Sequence, residues 1–135
     1  MPHIILRGEI DPEQVVEDFL PEVHRWDRAV LKLADSWLRK DRRAILVEGV
    51  VVELSRPLHP VILVGVQEGE THLRLWSRVD VERTWPVQRL LAVCAAGLVS
   101  YESVGGTLST NIPEQLWRDL PPLAMESQPQ NPDCS

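Results

Sequence analysis

Phenylalanine and tyrosine are nearly missing from this 135-residue chain, which has one of each against five tryptophans. Its core must therefore be built from aliphatic side chains, and each tryptophan stands out as a core or contact residue. Cysteine is scarce as well. Cys94 and Cys134 give no disulfide framework, so a reducing, cytoplasmic setting is the expectation. Cys94 sits in the apolar run Leu-Ala-Val-Cys-Ala-Ala and reads as a buried, inert thiol. No apolar run approaches the ~18 residues of a membrane-spanning helix, so no membrane insertion is expected. The basic-then-apolar pattern of a signal peptide is not found at the N-terminus. Positive charge is in deficit, with 14 Lys and Arg against 20 Asp and Glu. That balance disfavours broad contact with nucleic-acid backbone. His3, His24, His59 and His72 have no metal-ligand spacing with each other or with a cysteine. The chain carries no nucleophile elbow, phosphate loop or dinucleotide fingerprint. Neither metal nor cofactor is expected.

What is there reads as an ordinary globular protein, 44% hydrophobic and 25% charged. One domain is expected over residues 1–120. Beyond it, the proline-rich polar stretch 121–135 is expected to be disordered or loosely docked.

The chain opens Met-Pro-His-Ile-Ile-Leu-Arg-Gly, a short apolar strand. Asp11-Pro12-Glu13-Gln14 is a capping box with proline in the first turn, and it opens a helix. Apolar residues recur behind it at helical spacing from Val15 to Leu38, with a kink or break at Pro21. Ala44–Leu54, dense in valine and isoleucine, is the strongest strand, and Gly49 within it marks a bulge or bend. Val61–Val66 and Thr71–Val79 read as a hairpin. In the second arm, Leu73 and Leu75 share one face while His72, Arg74 and Trp76 take the other. Thr84–Leu98 is the second main helix. A short strand over Val99–Val104, a turn at Gly105-Gly106 and a short helix from Asn111 to Leu120 complete the pattern. The expected fold is α+β: a two-layer sandwich with a β-α-β start, its mixed sheet covered by two main helices on one face. Strand His3–Arg7 is expected beside Ala44–Leu54 and parallel to it, with a right-handed crossover.

Pro2 is the chief candidate for chemistry. Initiator methionine is generally removed before proline, which would leave a secondary amine at the start of a strand. Burial lowers the pKa of such an amine and makes it a base. The alternative role is purely local, since proline opens an edge strand without losing a needed N–H.

The segment from Ile5 to Gln14, after Met-Pro-His, resembles the strand-to-helix joint of the tautomerase superfamily. It is most similar to the 4-oxalocrotonate tautomerase-like proteins, and among these to an uncharacterised branch that opens Met-Pro-His and places Arg-Gly after the first strand. The similarity covers residues 2 to 66. It implies an isomerase with Pro2 as catalytic base, acting by keto–enol tautomerisation on a small carbonyl acid. Such chemistry needs a cation for the developing enolate or a carboxylate. The resemblance assigns that role to Arg43, with Arg7 and Arg42 as further substrate-binding candidates. Glu9 stands where the family carries another arginine. The resemblance also implies a homo-oligomer, with a trimer favoured. The other reading is a non-enzymatic protein-binding or assembly module that uses its sheet face, Trp76 and the C-terminal tail. Trp76 lies between Arg74 and Arg78, a setting suited to a protein-contact residue.

Overall fold

The computed structural model describes residues 1–126. Strand β1 (His3–Arg7) leads to a short helix α1 (Pro12–Asp18). Then come β2 (Glu22–Trp26), β3 (Ala29–Leu38), β4 (Ala44–Glu53), β5 (Arg56–Leu58), β6 (Val61–Gln67) and β7 (Glu70–Leu75). Helix α2 (Trp85–Leu98) and strand β8 (Thr107–Thr110) follow, with single 3-10 turns at Glu114–Leu116 and Pro121–Leu123. One eight-stranded sheet runs β2-β3-β4-β6-β7-β1-β8, with β5 on β4. All its strand pairs are antiparallel. The sheet curls into a half-barrel around the helices. Among the described residues no helix is long and apolar enough to cross a membrane.

This corrects the expected two-layer sandwich with a mixed sheet and a β-α-β start. β1 is neither beside β4 nor parallel to any strand; its neighbours are β7 and β8. The reason lies in residues 22–38. They were expected to continue the first helix, but Pro21 ends it and no capping residue restarts it. From Glu22 onward the pattern has a period of two: Ala29, Leu31 and Leu33 point into the core while Lys32 is exposed. A two-residue loop with Asp27 at φ 52° folds β2 onto β3. β3 then occupies one edge of β4 and β6 the other, which leaves β1 to close the meander against β7.

Two further expectations shift. Val99–Val104 is the turn after α2, and the last strand lies at Thr107–Thr110. Of the tail expected over 121–135, residues 127–135 lie outside the described residues, while the part before them is docked. Leu123 is buried, and the Glu126 N–H donates to the Thr107 carbonyl at 2.8 Å.

The core fills the concave side. Ile4 and Leu6 of β1, Leu31 and Leu33 of β3, Ile45, Val47 and Val51 of β4, and Ile62 and Val64 of β6 face α2. Gly49 decides how close α2 comes. A Cβ built there would lie 2.5 Å from Leu90 Cδ2, so the leucine rests directly on the strand backbone. The C-terminal segment is held by Arg89 of α2, which is only 8% exposed. Its Nη1 donates to the Leu116 carbonyl at 3.0 Å and to Asp119 Oδ1 at 2.6 Å, and Nη2 donates to Asp119 Oδ2 at 3.2 Å. This fork-to-carboxylate geometry holds the Asp119 pKa below its ordinary value.

Two predictions follow from these contacts. Gly49→Ala is expected to destabilise the protein by about 1–3 kcal/mol through overpacking, read as a lower urea midpoint. A midpoint equal to wild type would mean that Leu90 is free to move aside. Because the Asp119 pKa is depressed in the folded state, its contribution is present above the ordinary carboxylate pKa and lost as pH falls through the folded value. The stability gap between wild type and Asp119→Asn should therefore narrow on acidification; urea midpoints across the acid range test this.

Candidate functional site

The residues expected to form a tautomerase site are dispersed. Pro2 is buried, in step with the inward-facing Ile4 and Leu6. With Met1 in place its nitrogen is a tertiary amide, without a basic lone pair. Asn111 clamps the residues around it: its Oδ1 accepts the His3 N–H at 2.9 Å and its Nδ2 donates to the Met1 carbonyl at 2.8 Å. Arg7 is five residues further along the strand direction, about 17 Å away at ~3.4 Å per residue, and pairs with Glu126 at 3.2 Å. Arg42 pairs with Glu13 on α1 at 2.7 Å. Arg43 is exposed at the start of β4, and its Nη2 donates to the Val66 carbonyl at 3.4 Å. β6 and β7 stand between β1 and β4, so Pro2 and Arg43 do not meet.

Arg43 and Trp76 instead belong to a different feature, the outer face of the sheet. α1 and α2 pack on the inner face. Across the outer face the strand registers align one row: Trp37 beside Leu46, Leu46 beside Leu63, Leu63 beside Arg74, and Arg74 beside His3. Ala44, Leu46 and Leu63 form a second apolar cluster, with Val61 and Trp76 packed against it. Trp37 is 40% exposed at the end of the row. An antiparallel sheet commonly leaves one face to water, but that face is then polar. Here its centre is apolar.

Charged groups flank the row on either side. Towards one end of the strands, Arg39, Arg43, His72 and Arg74 line a depression of about 190 Å³ over Gly65. The depression exists because Ala44 and Gly65, paired in register, carry almost no side chain. Arg39 Nε donates to Asp41 Oδ1 at 2.9 Å. That bond, together with the Arg43 N–H, lowers the Asp41 carboxyl to about 2. His72 lies 3.1 Å from Glu70. Towards the other end, Asp35 and Glu48 are register partners, two like charges side by side.

Trp37, Leu46, Leu63, Arg39 and Arg74 escaped the reading of site residues from sequence. Trp37 had been assigned to a helical stripe, and the face of Leu46 is invisible until β4 is given two strand neighbours. The signal available was the period of two over Ala29–Leu33 and Leu73–Leu75. Comparison of the chain with protein-family models, with curated proteins and with solved structures gives no match.

The Asn111 clamp carries a prediction. Asn111→Ala is expected to cost about 1–2 kcal/mol, the scale of one or two lost hydrogen bonds, and to speed exchange of the His3 amide. Unchanged exchange of that amide would show that the start of β1 is held by strand pairing alone.

Proposed function

We propose that this protein is a non-enzymatic assembly module that pairs with a second copy of itself through the outer face of its sheet. The observation that carries this reading is the cross-strand row Trp37–Leu46–Leu63 on a face that neither helix covers. Tryptophan beside desolvated leucines is the composition of a contact hot spot. The charge pattern supports a two-fold partner. With the axis lying along the row, the row packs on its own copy. Arg39 then meets the partner's Asp35, and the partner's Glu48 comes over Ala44, beside the depression that Arg39, Arg43 and His72 line. Such self-complementarity is what an isologous interface requires. It relieves the juxtaposition of Asp35 and Glu48 and stacks the two sheets face to face. A two-fold arrangement favours a dimer over the trimer implied by the tautomerase resemblance.

Light scattering across micromolar concentrations tests the reading. The expected mass is twice the chain mass of 15.3 kDa. Trp37→Glu should weaken pairing at least tenfold without changing the far-ultraviolet circular dichroism. Arg39→Asp and Asp35→Arg should each weaken it, and the double variant should recover part of the loss. A single-chain mass throughout would overturn the proposal. Turnover of phenylpyruvate that is abolished by Pro2→Ala would replace it with the tautomerase reading.

A further inference from the structure

A second feature lies on the opposite side of the sheet. Where the half-barrel opens between α1 and the C-terminal half of α2, a cleft of about 230 Å³ reaches the core. Its floor is Leu33, Ile45 and Val47, inward-facing residues of β3 and β4. Its mouth is acidic. Asp18 and Glu22 line it, and among the described residues none of its lining residues is arginine or lysine.

The two carboxylates are held differently. Asp18 Oδ2 accepts from the Tyr101 hydroxyl at 2.8 Å, and Asp18 Oδ1 accepts from Gln14 Nε2 at 2.8 Å. Burial, followed by the Asp18 hydrogen bond, pushes the Tyr101 phenol up to about 12, so it remains a donor. Glu22 Oε2 lies 3.0 Å from His24 Nε2. Asp18 is also the last residue of α1, an end whose carbonyls favour a cation. The negative field extends into the cleft wall. Burial, and then the charge of Glu22, raises the Cys94 thiol to about 12.

We propose that this cleft binds a small amphipathic amine, with an apolar body over Leu33, Ile45 and Val47 and an ammonium group between Asp18 and Glu22. The volume sets the size. A cavity of ~150 Å³ holds benzene, and drug-sized ligands occupy ~300 Å³ or more. A cleft between these limits suits one or two fused rings. The acidic mouth sets the sign of the head group and rejects the matching carboxylate by like-charge repulsion. The inference is independent of the assembly reading, because the cleft and the outer face lie on opposite sides of β4.

The test uses three ligands that share one ring system: tryptamine, indole and indole-3-propionate. Titrations followed by methyl carbon–proton spectra locate and rank binding. The expected result is tryptamine tightest, at least tenfold over indole-3-propionate, with shifts at Leu33, Ile45 and Val47. The double variant Asp18→Asn with Glu22→Gln should bring amine and acid to within about twofold while retaining indole. Gly97→Leu should weaken indole and tryptamine alike. Gly97 lines the cleft and a Cβ there has nothing within 4 Å, so the helix accepts a larger side chain at the rim. It also removes a glycine from α2, which favours the helix. Three outcomes overturn the proposal: no shift at the three floor residues with millimolar tryptamine, equal affinity for amine and acid in wild type, or binding that Gly97→Leu leaves unchanged.

Discussion

Helix α2 lies inside the curl of the sheet because strand β4 has no side chain at Gly49. Leu90 occupies that space, and much of the rest follows from the close approach. A glycine inside a strand marks a place where another element comes close to the backbone. With α2 seated, the inner residues of β1, β3, β4, β6 and β7 converge on its buried face. Arg89, one turn into the helix, is then placed to hold the C-terminal segment through Leu116 and Asp119. A chain with one phenylalanine and one tyrosine has little bulk for filling gaps. Close approach of helix to sheet substitutes for large side chains in excluding water from this core.

The same arrangement gives the two faces of the sheet different fates. The inner face is consumed by packing except where α1 ends and the curl opens, and there the acidic cleft remains. The outer face receives no helix, yet Leu46 and Leu63 are apolar there, and both are buried by neighbouring side chains within the chain itself. Adjacent residues of β4 thus serve opposite sides. Ile45 and Val47 floor the cleft, while Ala44 and Leu46 build the outer cluster. A strand with apolar residues at both parities is what a strand buried on both faces looks like. In this fold the outer residues of β4, Ala44 and Leu46, are buried by side chains of the sheet itself, with Val61 and Trp76 packed against the cluster.

Much of the local structure was legible in the sequence. The Asp11 cap and Pro12 mark the start of α1, and Thr84 with Pro86 mark that of α2; both caps are present, with Asp11 accepting from Glu13 and Gln14 and Thr84 from Val87. The β-branched run at 44–54, the hairpin from Val61 and the outward set His72 and Arg74 also follow the residues. Topology was not legible, and the failure is local. Between Val15 and Leu38 the apolar positions fit a helical period about as well as a strand period. Pro21 and the loop at Asp27 decide between them, and tertiary pairing with β4 completes the decision. Once that segment is two strands, the parallel β1–β4 pair cannot form. In the sequence Gly49 marks a bulge or bend, whereas in the fold it allows close contact with Leu90. Such a role depends on a residue 41 positions away in sequence and leaves no local mark.

The candidate site failed to be legible for a related reason, the order of the strands. A proton-transfer site needs its base and its cation on the same side of the sheet within reach of one small molecule. Pro2 is in step with Ile4 and Leu6, and Arg43 with Ile45 and Val47, but β6 and β7 stand between β1 and β4 and hold the two residues apart. Arg7, Arg42 and Arg43, read together as one group of cations, are therefore three separate residues with three partners: Glu126, Glu13 and the Val66 carbonyl. What the outer face does assemble is the aromatic and aliphatic row with opposite charges on its two flanks. That pattern arises only when β3, β4, β6 and β7 are brought into register.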